Sequence, residues 1–168
     1  MEIKIVKASP EDAQEILEFL KLVGKETDNL TFGEEGLPIS VEVERHYIES
    51  LLDSTSSVMY LAKIKDEIVG NASFNAMTRE RLKHRGEFAI SVKQSQWGKG
   101  IGSQLIEQVL EFAKETAHVE IISLEVRSDN RRAIHLYQKY GFKKIGSFPG
   151  FLKINGKYID VDLMHLYL

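Results

Sequence analysis

The segment from residue 87 to residue 116 restricts the fold more than any other. "EFAISV" (87–92) alternates apolar side chains as a strand does, and "SQWGKGIGSQL" (95–105) then places Gly98, Gly100 and Gly102 at every second position. Ile101, Leu105, Val109 and Phe112 or Ala113 follow at helical spacing. A bare backbone entering a helix offers several N–H groups and the positive end of the helix dipole to one anionic group. The simpler reading is a loop that needs positive φ angles. A nucleotide, a dinucleotide and coenzyme A all carry a suitable anion. A Walker-type loop needs Gly-Lys-Ser/Thr at its end, which this stretch lacks. A dinucleotide turn needs glycine where Ser103 stands and a preceding βαβ unit, and neither is present.

The surrounding elements read β-α-α-β-β-β-α-β-α-β-β. Residues 2–8 alternate as a strand, and "SPED" offers Ser9 as N-cap with Pro10 at the first helical position. Ala13, Ile16, Leu17, Leu20 and Val23 give the first helix its buried stripe, with Gly24 as its stop. Residues 25–38 read as an acidic loop. A second helix from Ser40 carries Val43, Tyr47, Ile48, Leu51 and Leu52 as its apolar face. Residues 58–65 and 68–77 form a hairpin around Asp66-Glu67, followed by a basic connection at 79–85. "IISLEV" (121–126) is a strand, "NRRAIHLYQKY" (130–140) a short helix, and Gly141 its C-cap. Residues 142–148 and 158–168 close the chain as strands around the turn signal Asn155-Gly156. No repeat or linker interrupts this order, so residues 1–168 read as one domain.

Composition narrows the function classes. A net charge of −3 gives no global basic field for nucleic acid. The absence of cysteine removes disulfides, thiolate metal sites and a cysteine nucleophile together. The five histidines lack metal-ligand spacing, so no metal is expected. No apolar run approaches the roughly 20 residues of a membrane span. The charged N-terminal stretch does not resemble a signal peptide, and a cytoplasmic location is expected.

Strand 87–92, the "WGKGIG" turn, helix 101–116 and "LEVRSDNRRAIHLYQKYGF" (124–142) together resemble the GCN5-related N-acetyltransferase (GNAT) superfamily. Gly100 and Gly102 match the family's pyrophosphate turn, whose first position is usually Gln or Arg but here is Trp97. Asn130, Ala133, Leu136-Tyr137 and Tyr140-Gly141-Phe142 match its second block. The resemblance implies an α/β (α+β) fold. A mixed, largely antiparallel sheet of about seven strands splays between the fourth and fifth, flanked by about four helices. It implies acetyl-CoA as co-substrate, held by Ile90, Ser91 and Val92 on the strand and by Trp97, Gly98, Lys99, Gly100, Ile101, Gly102 and Ser103 at the turn. Asn130, Ala133 and Tyr137 would contact the same molecule. Asn130 also suits the N-cap of its own helix. With Trp97 at the first position, the cradle is expected to depend on backbone alone.

Acetyl transfer to an amine needs a neutral nucleophile, donors for the developing oxyanion and an acid for the departing thiolate. An alkylammonium has a pKa near 10.4, so a base must act first. By resemblance Tyr137 is the acid, while Glu125 or Glu87 is the base unless a water chain serves. Tyr137 also reads as a core aromatic, a role for which Leu136 and Tyr140 look better placed. The family builds its acceptor side from the first two helices, their loop and the last hairpin. Glu26, Asp28 and Glu34, with Glu35, concentrate negative charge in that loop and suggest a cationic small-molecule amine. A protein N-terminus or lysine is an alternative acceptor, and an acyl-CoA-binding domain without turnover is an alternative function. The long apolar closing strand needs cover, and the resemblance implies a homodimer.

Overall fold

The computed structural model describes residues 2–168. Its elements are β1 (Lys4–Lys7), α1 (Ala13–Glu26), α2 (Val41–Leu51), β2 (Ser57–Ile64), β3 (Glu67–Ala76) and β4 (Arg85–Val92). They continue with α3 (Ile101–Glu115), β5 (Ile121–Arg127), α4 (Arg131–Lys139), β6 (Lys143–Ile154) and β7 (Lys157–Tyr167). Short 3₁₀ turns at Pro10–Asp12 and Gln94–Gln96 precede α1 and the glycine turn. The strands form one sheet in the order β1-β2-β3-β4-β5-β7-β6. Every pairing is antiparallel except β4 with β5. That parallel pair lasts only from Arg85 to Glu87 against Ile121 to Ser123, after which the strands part. The mixed, splayed sheet expected from the sequence is therefore present.

Each face of the sheet carries its own core. Ile16, Phe19, Leu20 and Val23 of α1 and Ile48 of α2 pack on Met59, Leu61 and Ile68. On the opposite face, Ile101, Leu105, Val109 and Phe112 of α3 pack with Tyr60, Phe74, Phe88, Ile122 and Leu124. Tyr137 of α4 joins this second core against Phe88 and Phe142. No helix among the described residues is long and apolar enough to cross a membrane.

Four local readings are corrected by packing. Gly24 does not stop α1, which runs on to Glu26. A Cβ there would lie 2.0 Å from the Gly33 carbonyl oxygen, so the residue is small to admit the following loop. The first hairpin turns at Lys65-Asp66, both at positive φ, while Glu67 already pairs with Ile64. Strand β6 continues beyond residue 148 to Ile154 because β7 offers it a full-length partner. Two extra residues around Pro149 bulge out where proline has no N–H to donate, and the Gly150 N–H donates instead to Asp160 Oδ1 at 2.9 Å.

The fourth correction concerns α2. Val43, Tyr47 and Leu52 are 52, 38 and 55% exposed, whereas Glu44 and Ile48 are buried. The stripe i, i+4 that faces the protein starts one residue later than the apolar side chains suggest.

The entry to α1 is pinned by charge. Asp12 accepts hydrogen bonds from the Ser9 N–H at 2.8 Å and from Lys63 Nζ at 2.7 Å. Burial alone would raise its pKa, but these two donors and the Lys63 charge outweigh it and hold the carboxyl below its ordinary value. A depressed carboxyl stabilises the fold above its unfolded pKa and loses that contribution as pH falls. Asp12→Asn is expected to cost about 2 kcal/mol at pH 7. The difference from wild type should shrink as pH drops below 4, as read by urea denaturation at a series of pH values.

Candidate active site

The parting of β4 from β5 opens a cavity of about 690 Å³ beneath α1, α2 and the 27–37 loop. From Phe88 onward the side of β4 that faces β5 has no strand partner. Ile90, Ser91 and Val92 line the cavity there, as do Leu124, Glu125 and Val126 across the gap.

The glycine turn closes one end. Gly98 and Gly100 have φ of +77° and +80°, the left-handed region that glycine enters without cost. A Cβ on either would meet nothing within 4 Å, so the space before the turn is open. The first α3 amide with a protein acceptor is that of Gln104, which donates to Gly100 O at 3.1 Å. The N–H groups of Gly98 through Ser103 find no acceptor among the described residues. Unsatisfied donors at a helix start, with the dipole behind them, are able to receive an anion. Gly102 is small for a different reason, since a Cβ there would press on Leu136 at 3.0 Å.

Trp97 stands where the resemblance leads to Gln or Arg, and two contacts tie it to its surroundings. Its Nε1–H donates to Val92 O at 2.8 Å and ties the turn to the end of β4. The guanidinium carbon of Arg132 lies 3.6 Å from the Trp97 ring centroid. Arg132 also lines the cavity. Beside the backbone on which the cradle is expected to depend, α4 carries a cation onto the face of Trp97 at the cavity wall. The sequence held a signal for it in Arg131-Arg132 beside Asn130, but nothing in the chain's order places α4 against Trp97.

The other anticipated residues divide clearly. Asn130 Oδ1 accepts from the Ala133 N–H at 3.2 Å, which caps α4 and leaves the amide NH₂ free at the cavity wall. Ala133, Ile101 and Ser103 also line the cavity. Lys99 does not, and its ammonium donates to Gln96 Oε1 at 3.0 Å. Tyr137 is 8% exposed, more deeply set than Leu136 or Tyr140, which reverses the sequence expectation. Its hydroxyl has no hydrogen-bond partner among the described residues, and burial pushes its pKa well above the ordinary value against the opposing charge of Arg132.

Glu125 reaches the cavity, and burial followed by the charge of Glu87 raises its carboxyl above the usual range. Glu87 sits on the same sheet face, outside the cavity lining. The acidic loop does not deliver its carboxylates. Glu26 accepts from the Gln94 N–H at 2.8 Å, Asp28 offers its carbonyl to Arg127, and Glu34 is exposed. The loop turns Thr27, Leu30, Phe32 and Leu37 inward instead. Sequence reasoning missed the polar groups of the far wall, Glu44 and Tyr47 on α2 and Asn71 and Ser73 on β3.

The open amides at the helix start and the splayed parallel pair, with Tyr137 lining the gap, mark this cavity as the candidate active site. Residues 25–142 match the family model described as "Acetyltransferase (GNAT) family". The chain belongs to the GNAT family and is an N-acetyltransferase.

It is 31% identical over 116 residues to the L-amino acid N-acetyltransferase AaaT of Escherichia coli, covering 69% of this chain and 72% of that one. It is 34% identical over 125 residues to the spermidine N(1)-acetyltransferase of Vibrio cholerae, covering 74% of this chain and 71% of that one. A GNAT-family acetyltransferase from Streptococcus pneumoniae superposes with a TM-score of 0.95 at 33% identity, covering 99% of this chain and all of the other.

Proposed function

We propose that the protein transfers the acetyl group of acetyl-CoA to a primary amine of a small molecule by direct attack in a ternary complex. The observation that carries this reading is the run of unpartnered amides from Gly98 to Ser103, set at the mouth of the β4–β5 gap that Tyr137 lines. Six donors and a helix dipole suit a pyrophosphate, and Arg132 adds a charged donor at the same end. The unpartnered side of β4 suits the pantetheine arm, which can pair there as an extra strand. When bound, acetyl-CoA supplies the activated acyl group as a thioester.

The chain's residues then manage charge and protons. Glu125, its basicity raised by burial and by Glu87, takes a proton from the acceptor ammonium. The N–C bond forms first, with free amides of β4 holding the charge that develops on the carbonyl oxygen, and Tyr137 gives its hydroxyl proton to the sulfur as the C–S bond then breaks. The nitrogen loses two protons in all: the first passes through Glu125 to solvent, and the second restores the Tyr137 hydroxyl. The products are an amide and the free thiol of coenzyme A.

The names of the relatives, one acting on L-amino acids and one on spermidine, support a small-molecule amine as acceptor. The test is calorimetry with acetyl-CoA, followed by an amine screen read as thiol release. Low-micromolar 1:1 binding and acceptor-dependent thiol release are expected. Binding without release under any amine would overturn the transferase assignment for this chain.

A further inference from the structure

Glu44 is the feature of the cavity that the reaction does not use. It lies on α2, one turn before Ile48, and is 2% exposed on a helix whose outer face is open to solvent. Its side chain lines the cavity, and no ion pair or side-chain hydrogen bond to its carboxylate is formed among the described residues. Burial alone raises its pKa, with no neighbouring cation to offset it. Its oxygens are not among the fully enclosed unpartnered atoms, so the carboxylate opens onto the cavity and is placed to meet a cationic ligand there.

The rest of the wall says what that partner is. Among the cavity-lining residues the only anions are Glu44 and Glu125, and the only cation is Arg132, stacked on Trp97 at the glycine turn. The wall near Glu44 is otherwise neutral, with Tyr47, Asn71, Ser73 and Met59. A carboxylate on the acceptor would find no counter-charge in this half of the cavity, whereas an ammonium finds Glu44. Ile48 seats α2 over Met59 and Leu61 of β2, so Glu44 stands on the β2–β3 side of the gap. Glu125 stands on β5. Glu44 and Glu125 thus come to the cavity from different elements, a helix and a strand beyond the opened β4–β5 gap.

We infer that the acceptor is a di- or polyamine without a carboxylate, with one ammonium held by Glu44 while a second amine, released from its proton near Glu125, receives the acetyl group. This rests on the transferase reading above and narrows it. Glu44 is then a specificity-determining residue, and the structure sets this chain apart from an acetyltransferase for amino acids.

The test compares spermidine and 1,4-diaminobutane with L-methionine and benzylamine in wild type and Glu44→Gln, by thiol release and by calorimetry of spermidine on the coenzyme A-loaded protein. Wild type is expected to favour spermidine over L-methionine by at least about 30-fold in kcat/KM, since a carboxylate facing two glutamates has no offsetting cation. Glu44→Gln should raise KM for spermidine about 10- to 100-fold, with kcat, benzylamine KM and acetyl-CoA affinity within about threefold. Glu44→Asp, which keeps the charge on a shorter arm, should fall between the two.

A preference for L-methionine, equal KM changes for spermidine and benzylamine, or absent spermidine binding in both proteins would each overturn the inference. Failure of acetyl-CoA to bind would instead overturn the coenzyme reading on which it rests, so the two failures are distinguishable.

Discussion

Gly100→Val is expected to abolish acetyl-CoA binding while leaving the fold standing. Gly100 sits at φ +80°, ψ 3°, where a β-branched residue is strained by about 1–2 kcal/mol. Its Cβ would enter open space and touch no other group, so packing survives. That space adjoins the amides of Gly98 to Ser103, which have no acceptor among the described residues. The valine methyls would occupy the position of the anion, and the strained φ would turn the neighbouring amides away from it. Calorimetry should show affinity lower by at least about 100-fold, since several charge-assisted hydrogen bonds are lost together. The thermal midpoint should fall by only a few degrees, and Gly100→Ala should show a smaller loss of binding. Normal acetyl-CoA affinity in the valine variant would show that the turn is not the anion site.

Tyr137→Phe should separate chemistry from binding. The side chain is held edge-on to Phe88 at 5.8 Å and packed beside Phe142 at 5.9 Å, so phenylalanine fits the same space. Only the hydroxyl disappears, and it has no hydrogen-bond partner among the described residues. Turnover is expected to fall about 10²- to 10⁴-fold, the usual weight of a positioned acid, with acetyl-CoA affinity within about threefold. The proton is hard to give up, because burial keeps Tyr137 protonated beyond the ordinary tyrosine range. The same low-dielectric surroundings disfavour a bare thiolate, which raises the basicity of the sulfur as the C–S bond breaks. The raised pKa also predicts a pH profile of turnover without an alkaline limb near 10. Unchanged turnover in the phenylalanine variant would remove Tyr137 from the acid role.

Much of the site was legible in the chain because it rests on local backbone chemistry. The glycine turn, the helix it feeds and the cap made by Asn130 are short-range structures, written in consecutive residues. The second block around Tyr137 was legible through its spacing, although its depth was not. Leu136 and Tyr140 look at least as apolar, and only the packing of α4 on Phe88 and Phe142 selects Tyr137 for burial.

The far wall of the cavity was not legible. Val43 and Tyr47 share helical spacing as well as Glu44 and Ile48 do, and an isolated helix of 11 residues has no means to choose between those faces. The choice comes from the sheet, where Ile48 meets Met59 and Leu61. That rotation carries Glu44 inward with it. The acidic loop misled for the converse reason, since charge counted along a loop does not say which side chains turn inward. Its apolar residues went to the cavity and its carboxylates to amides and solvent.

The sequence by itself therefore determined the order of elements, the glycine turn that enters α3 and the family, all of which depend on local conformation or on motif spacing. Tertiary structure alone decided that Arg132 backs Trp97, that Tyr137 is the buried tyrosine of its helix, and that Glu44 faces the cavity without a counter-ion. Each of these depends on which faces of distant segments meet, and that is settled by the burial of many apolar side chains at once.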